Sequence, residues 1–71
     1  MSERNVFRFV HRYRVEQAVE FFPASGIDRK AKGQYTVVRL LPMEGAIAQY
    51  RVKNKMDGHE RVVSENELRS L

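Results

Sequence analysis

Between Gln34 and Asn54 two runs read as strands, and the second alternates cleanly between apolar and polar positions. "QYTVVRLL" (34–41) is rich in aromatic and β-branched residues. In "AIAQYRVKN" (46–54), Ala48, Tyr50 and Val52 face one way, and Ile47, Gln49, Arg51 and Lys53 the other. A period of two is that of a half-buried strand. Between the two runs lies "PMEG" (42–45). Pro42 cannot donate to a ladder and Gly45 tolerates positive φ, so these residues predict a hairpin turn. Asp57-Gly58 predicts a second hairpin, with "ERVVS" (60–64) as the returning strand. A two-residue loop at 57–58 sets Val52 opposite Val63, and a longer loop sets it opposite Val62.

The flanking segments are less regular. Over residues 5–15, Phe7, Phe9, Tyr13 and Val15 share one parity, and Val6, Val10, Arg12 and Arg14 the other. This predicts a bent strand. Val15, Ala18, Val19 and Phe22 fall at helical spacing ahead of Pro23, which predicts a short helical turn within 15–22. "PASGIDRKAKG" (23–33) reads as a basic loop. In "SENELRSL", Ser64 and Glu67 form a capping box, and Leu68 and Leu71 can share a face. A short 3₁₀ turn there would plug the end of a barrel. Strand, long loop, three-strand meander and terminal turn together predict an all-β, SH3-like antiparallel barrel. Its small sheet must close or pack to bury its apolar side.

At 71 residues the chain is expected to be a single SH3-like domain spanning 1–71. A domain this small buries only about 60% of its unfolded surface, which favours shallow binding surfaces over a deep catalytic pocket. Cysteine is absent, which removes disulfides, thiolate metal sites and thiol nucleophiles. No signal peptide is evident, and no apolar run approaches the roughly 20 residues that cross a bilayer. The expectation is a cytoplasmic protein without membrane contact. Thirteen Lys and Arg against nine Asp and Glu leave a net charge of +4, which favours anionic partners.

"GQYTVVRLLPMEG" followed by "QYRVKNKMDGHERVVSENEL" resembles a group of small bacterial proteins of unassigned function. The shared pattern falls on Tyr35, Leu41, Pro42, Tyr50, Arg51, Val52, Lys53, His59, Glu60, Arg61, Val62, Glu65 and Leu68, within residues 33–68. The resemblance implies an SH3-like barrel and no established activity.

Catalytic signals are weak. Asp57, His59 and Glu60 lie within four residues, but zinc needs three or four convergent ligands. Neighbouring strand positions point to opposite faces, and His11 is the one other histidine. Of Ser2, Ser25, Ser64 and Ser70, none sits in a strand-to-helix elbow. "GIDRKAKG" (26–33) lacks the Gly-Lys-Ser/Thr ending of a phosphate loop. We therefore expect no enzyme, no cofactor and no metal.

Binding residues are easier to nominate. If Tyr50 and Val52 face the core, Arg51 and Lys53 face out. Tyr35, Val37 and Arg39 share a parity. If that parity is outward, Tyr35 and Arg39 join Arg51 and Lys53, with Arg12, Arg14 and Arg8 adding charge. A ring among cations suits base stacking plus phosphate contact. The expected partner is nucleic acid or a ribonucleoprotein. The alternative is a protein-interaction adaptor of SH3 or Tudor type, with Tyr13, Phe21, Phe22 and Tyr35 as its aromatic groove.

Overall fold

The computed structural model describes residues 11–24 and 30–71. Five strands run through them: β1 (Ala18–Phe21), β2 (Gly33–Glu44), β3 (Ile47–Asn54), β4 (Glu60–Ser64) and β5 (Leu68–Ser70). A 3₁₀ turn, Glu65–Glu67, links β4 to β5. The strands form one antiparallel sheet in the order β4-β3-β2-β1-β5.

The two edge strands, β4 and β5, are consecutive in the chain. In a flat sheet four strand spacings would part them by about 19 Å. The four residue steps from Ser64 to Leu68 reach at most about 14 Å. The sheet therefore curls until its edges approach at that end, although no ladder joins β4 to β5 among the described residues. The apolar side lies inside the curl. Val19 and Phe21 of β1, Tyr35 and Val37 of β2, Ala48, Tyr50 and Val52 of β3, Val63 and Leu68 form the buried core with Tyr13 and Ala31.

Several expectations change. The helical turn expected within 15–22 is strand β1 over its second half. Val19 and Phe21 point inward, and ladders to β2 and β5 satisfy the backbone on both sides. Tertiary pairing overrides the helical spacing here. The bent strand expected over 5–15 lies outside the described residues up to 10, and 11–15 is irregular chain. Val15 and Glu16 form a turn in which the Gln17 N–H donates to the Arg14 carbonyl at 3.1 Å. Glu16 sits at φ 73, a conformation that favours glycine.

The first hairpin turns at Gly45-Ala46 rather than over 42–45, because Glu44 pairs with Ile47. Gly45 at φ 63 fits the first central position of a type II′ turn. Pro42 stays within β2, at a register shift between Leu41 and Glu44, where a missing N–H breaks no ladder bond. In the second hairpin the loop is 55–58, four residues rather than two. The Asn54 Oδ1 accepts the Met56 and Asp57 N–H groups at 2.7 and 3.1 Å, and the Asn54 carbonyl accepts the Gly58 N–H at 3.0 Å. Val52 consequently lies opposite Arg61, and Tyr50 opposite Val63, so neither register expected from the sequence is adopted. The shift from the two-residue loop is two residues, which keeps Val63 on the core side.

The capping residues stand where expected: the Ser64 N–H donates to Glu67 Oε1 at 3.1 Å. Leu68 does more than plug an end. It is buried opposite Phe21 and starts β5, while Leu71 is 58% exposed and does not share its face.

Candidate nucleic-acid interface

The outer face of β2 and β3 is organised by a bulge. Val37 pairs with Val52, but Arg39 pairs with Arg51, so Val38 is an extra residue in β2. A bulge reverses the side-chain parity beyond it. Tyr35 and Val37 therefore face the core, Leu40 faces Tyr50, and Arg39 faces out beside Arg51. One cross-strand row reads Arg39, Arg51, Val62, and the next reads Thr36, Lys53, Glu60. Arg51 and Glu60 form an ion pair at 3.5 Å with both side chains over 40% exposed. Such a pair contributes little in water. Arg39 and Lys53 are exposed and form no ion pair with any described residue.

Tyr35 is corrected out of this face. It is 1% exposed, its ring meets Phe21 edge-on at 5.6 Å, and its hydroxyl donates to the Ala31 carbonyl at 2.7 Å. Arg12 and Arg14 are also separated from the outer set. Their segment packs on the core side of β3: the His11 ring meets Tyr50 edge-on at 5.0 Å, and Tyr13 meets Tyr50 at 5.7 Å. The sheet thus stands between Arg12 and Arg14 on one side and Arg39, Arg51 and Lys53 on the other. Arg8 lies outside the described residues.

The aromatic groove of the adaptor alternative does not form from the four rings named for it. Tyr13, Phe21 and Tyr35 are in the core. Phe22 is half-buried, with the Lys32 amine 5.0 Å and the Arg69 guanidinium 5.3 Å from its centroid.

The hairpin cluster is a turn. The Asp57 Oδ1 accepts the His59 N–H at 2.8 Å, and no group of three His, Cys, Asp or Glu able to hold a metal occurs among the described residues. The Ser64 hydroxyl lies with the Gln49 amide, and Ser70 accepts from Gln17.

Sequence reasoning missed a partly buried polar network on the core side. Tyr50 donates its hydroxyl proton to Glu65, and Glu65 Oε2 also accepts the Arg12 N–H at 2.6 Å. The Tyr13 N–H donates to the Tyr50 oxygen at 3.1 Å, and the Tyr13 hydroxyl to the Leu68 carbonyl at 3.1 Å. Burial, then the Glu65 hydrogen bond, pushes the Tyr50 phenol well above its usual range. His11 Nε2 lies 2.8 Å from the Leu41 carbonyl and 3.2 Å from that of Gln49. Both partners only accept, so that nitrogen carries the proton. No residue spacing announces these contacts, since they join positions 15 to 55 apart in the chain.

The fold and this surface define a small all-β protein with a basic outer sheet face; among the described residues no helix is long and apolar enough to cross a membrane. Comparison with protein families, curated proteins and solved structures finds no match for the chain.

Proposed function

We propose that the chain is a non-catalytic, SH3-like binding module of the cytoplasm that takes nucleic acid on the outer face of β2 and β3, through phosphate contacts. The observation that carries this reading is the pairing of Arg39 with Arg51. Like charges directly opposite on a sheet destabilise it. Lys53 extends the same face by one strand repeat; it stands opposite Glu60 in the register, but only Arg51 of the three forms an ion pair among the described residues. A polyanion removes the repulsion. The two cross-strand rows carry no aromatic ring, so the contacts fall on phosphates and the binding is largely indifferent to base sequence.

The test is a salt titration of fluorescent DNA and RNA oligomers. Three phosphate contacts give a slope of log affinity against log salt of about −2.7 on duplex and about −2.1 on single strands. Moving from 50 to 200 mM salt then weakens duplex binding by about 40-fold. Arg39→Ala should make the slope about one contact shallower on every sequence tried. Absence of binding at 50 mM salt and tens of micromolar protein overturns the reading.

A further inference from the structure

The outer face does not end at β2. Paired residues share a side of a sheet, so the row of Lys53 and Thr36 continues to Ala18 of β1. The next outer row runs Gln34, Glu20, Arg69 across β2, β1 and β5. Lys55 joins that row at its β3 end, where its N–H donates to the Gln34 carbonyl at 3.0 Å. Phe22 follows β1 directly, and alternation turns it away from the buried Phe21 and onto this side. The Arg69 guanidinium and the Lys32 amine stand 5.3 and 5.0 Å from its ring centroid. We propose that this ring and its two cations are a stacking site for an unpaired base, which makes the ligand of the outer face single-stranded nucleic acid. The proposal rests on the nucleic-acid reading above and deepens it.

The ring is held in place through its backbone. The Phe22 N–H donates to the Glu67 carbonyl at 2.7 Å, and the Ala24 N–H to Glu67 Oε2 at 2.9 Å. Both sides of Pro23 are thus tied to the 3₁₀ turn, and a ring fixed this way loses little freedom when a base settles on it. Lys32 and Arg69 are exposed, and each reaches the ring by a long side chain. An exposed cation–π contact shifts an equilibrium only about two- to fivefold. A base stacked on an aromatic ring shifts it about 5- to 150-fold. A base therefore displaces a cation from the ring, and the released cation meets a neighbouring phosphate.

Glu20 lies between Gln34 and Arg69 and repels phosphate. It forms no ion pair among the described residues, and the Arg69 guanidinium goes to the ring instead. The uncharged base is thus the part of a nucleotide suited to this end of the sheet, with phosphates left to the flanking cations. Stacking tolerates any base, since every base has a π-face, so the site adds a preference for unpaired strands without reading sequence.

The experiment measures binding of three fluorescent probes at low salt: oligothymidine, the same strand with its bases removed, and a duplex. The wild type should hold the base-bearing strand about fivefold or more tightly than the base-free one, although their phosphates are the same. Phe22→Leu keeps apolar bulk, so it should fold and lose that advantage, with duplex affinity and the salt slope unchanged. Phe22→Trp puts an indole into a chain that has no tryptophan. Its fluorescence should be quenched by the base-bearing strand and not by the base-free one. The stacking site alone is overturned if Arg39→Ala still flattens the salt slope while the two single strands bind alike, Phe22→Leu binds as the wild type does, or both strands quench equally. Absence of binding by all three probes overturns it together with the reading of the outer face.

Discussion

Tyr50 donates its phenolic proton to the carboxylate of Glu65, which ties the middle of β3 to the first residue of the 3₁₀ turn. The same two side chains receive the N–H groups of Tyr13 and Arg12, so the chain ahead of β1 is held against the sheet by this pair. Tyr50→Phe keeps the ring and removes the bonds. At neutral pH it should cost about 1–3 kcal/mol, because Glu65 loses a donor and the Tyr13 N–H an acceptor. Denaturant melts measure this directly, and a loss below about 0.5 kcal/mol would show the network to be dispensable.

The pair also predicts an alkaline limit. The Tyr50 phenol titrates higher in the folded state than in the unfolded one, through burial first and the Glu65 bond second. The folded state therefore holds its proton where the unfolded state has released it. This stabilisation is complete below the unfolded value of about 10 and is lost as pH rises above it. Wild type should lose stability more steeply than Tyr50→Phe from pH 10 upward, so the gap between them narrows. Parallel curves would contradict the assignment.

Leu68 and Leu71 should separate sharply. Leu68→Ala empties a buried site opposite Phe21 and should cost about 2–4 kcal/mol. Leu71→Ala, at an exposed position, should stay within about 0.5 kcal/mol. A chain ending at Ser64 lacks β5 and should not fold. If it melts like the full chain, the structural role given to β5 is wrong.

Glu16 holds positive φ without being glycine. Glu16→Gly relieves that strain at the expense of a more flexible unfolded chain, and should range from neutral to about 1 kcal/mol stabilising. Glu16→Val should destabilise, because a β-branched side chain tolerates this conformation poorly. Thermal melts of the two variants should fall on opposite sides of each other relative to wild type or, at the least, in that order.

Zinc, manganese and nickel should leave the melting temperature unchanged, with or without chelator. The Asp57 carboxylate and the Asn54 side-chain oxygen already accept backbone N–H groups in the 55–58 loop. A rise of several degrees with any of the three metals would overturn this.

Alternation alone determined much of the middle of the molecule. Ala48, Tyr50 and Val52 turn inward as their parity requires, Arg51 and Lys53 lie on the other side, and the Ser64–Glu67 spacing marks the 3₁₀ turn. These are local properties, set by a period of two or by a cap three residues away. What only the tertiary structure decided came from events that local pattern does not encode. One extra residue at Val38 reverses parity, and so parts Tyr35 from Arg39 although they stand four residues apart. The Asn54 side chain lengthens a loop and moves the β3–β4 register by two. Val15, Ala18, Val19 and Phe22 have helical spacing, yet open ladders on both sides draw residues 18–21 into a strand. The separation of Arg12 and Arg14 from Arg39, Arg51 and Lys53 follows from the same cause. Which side of the sheet a charge occupies depends on bulges and on how the chain returns, and both are settled by pairing energies summed across the whole sheet.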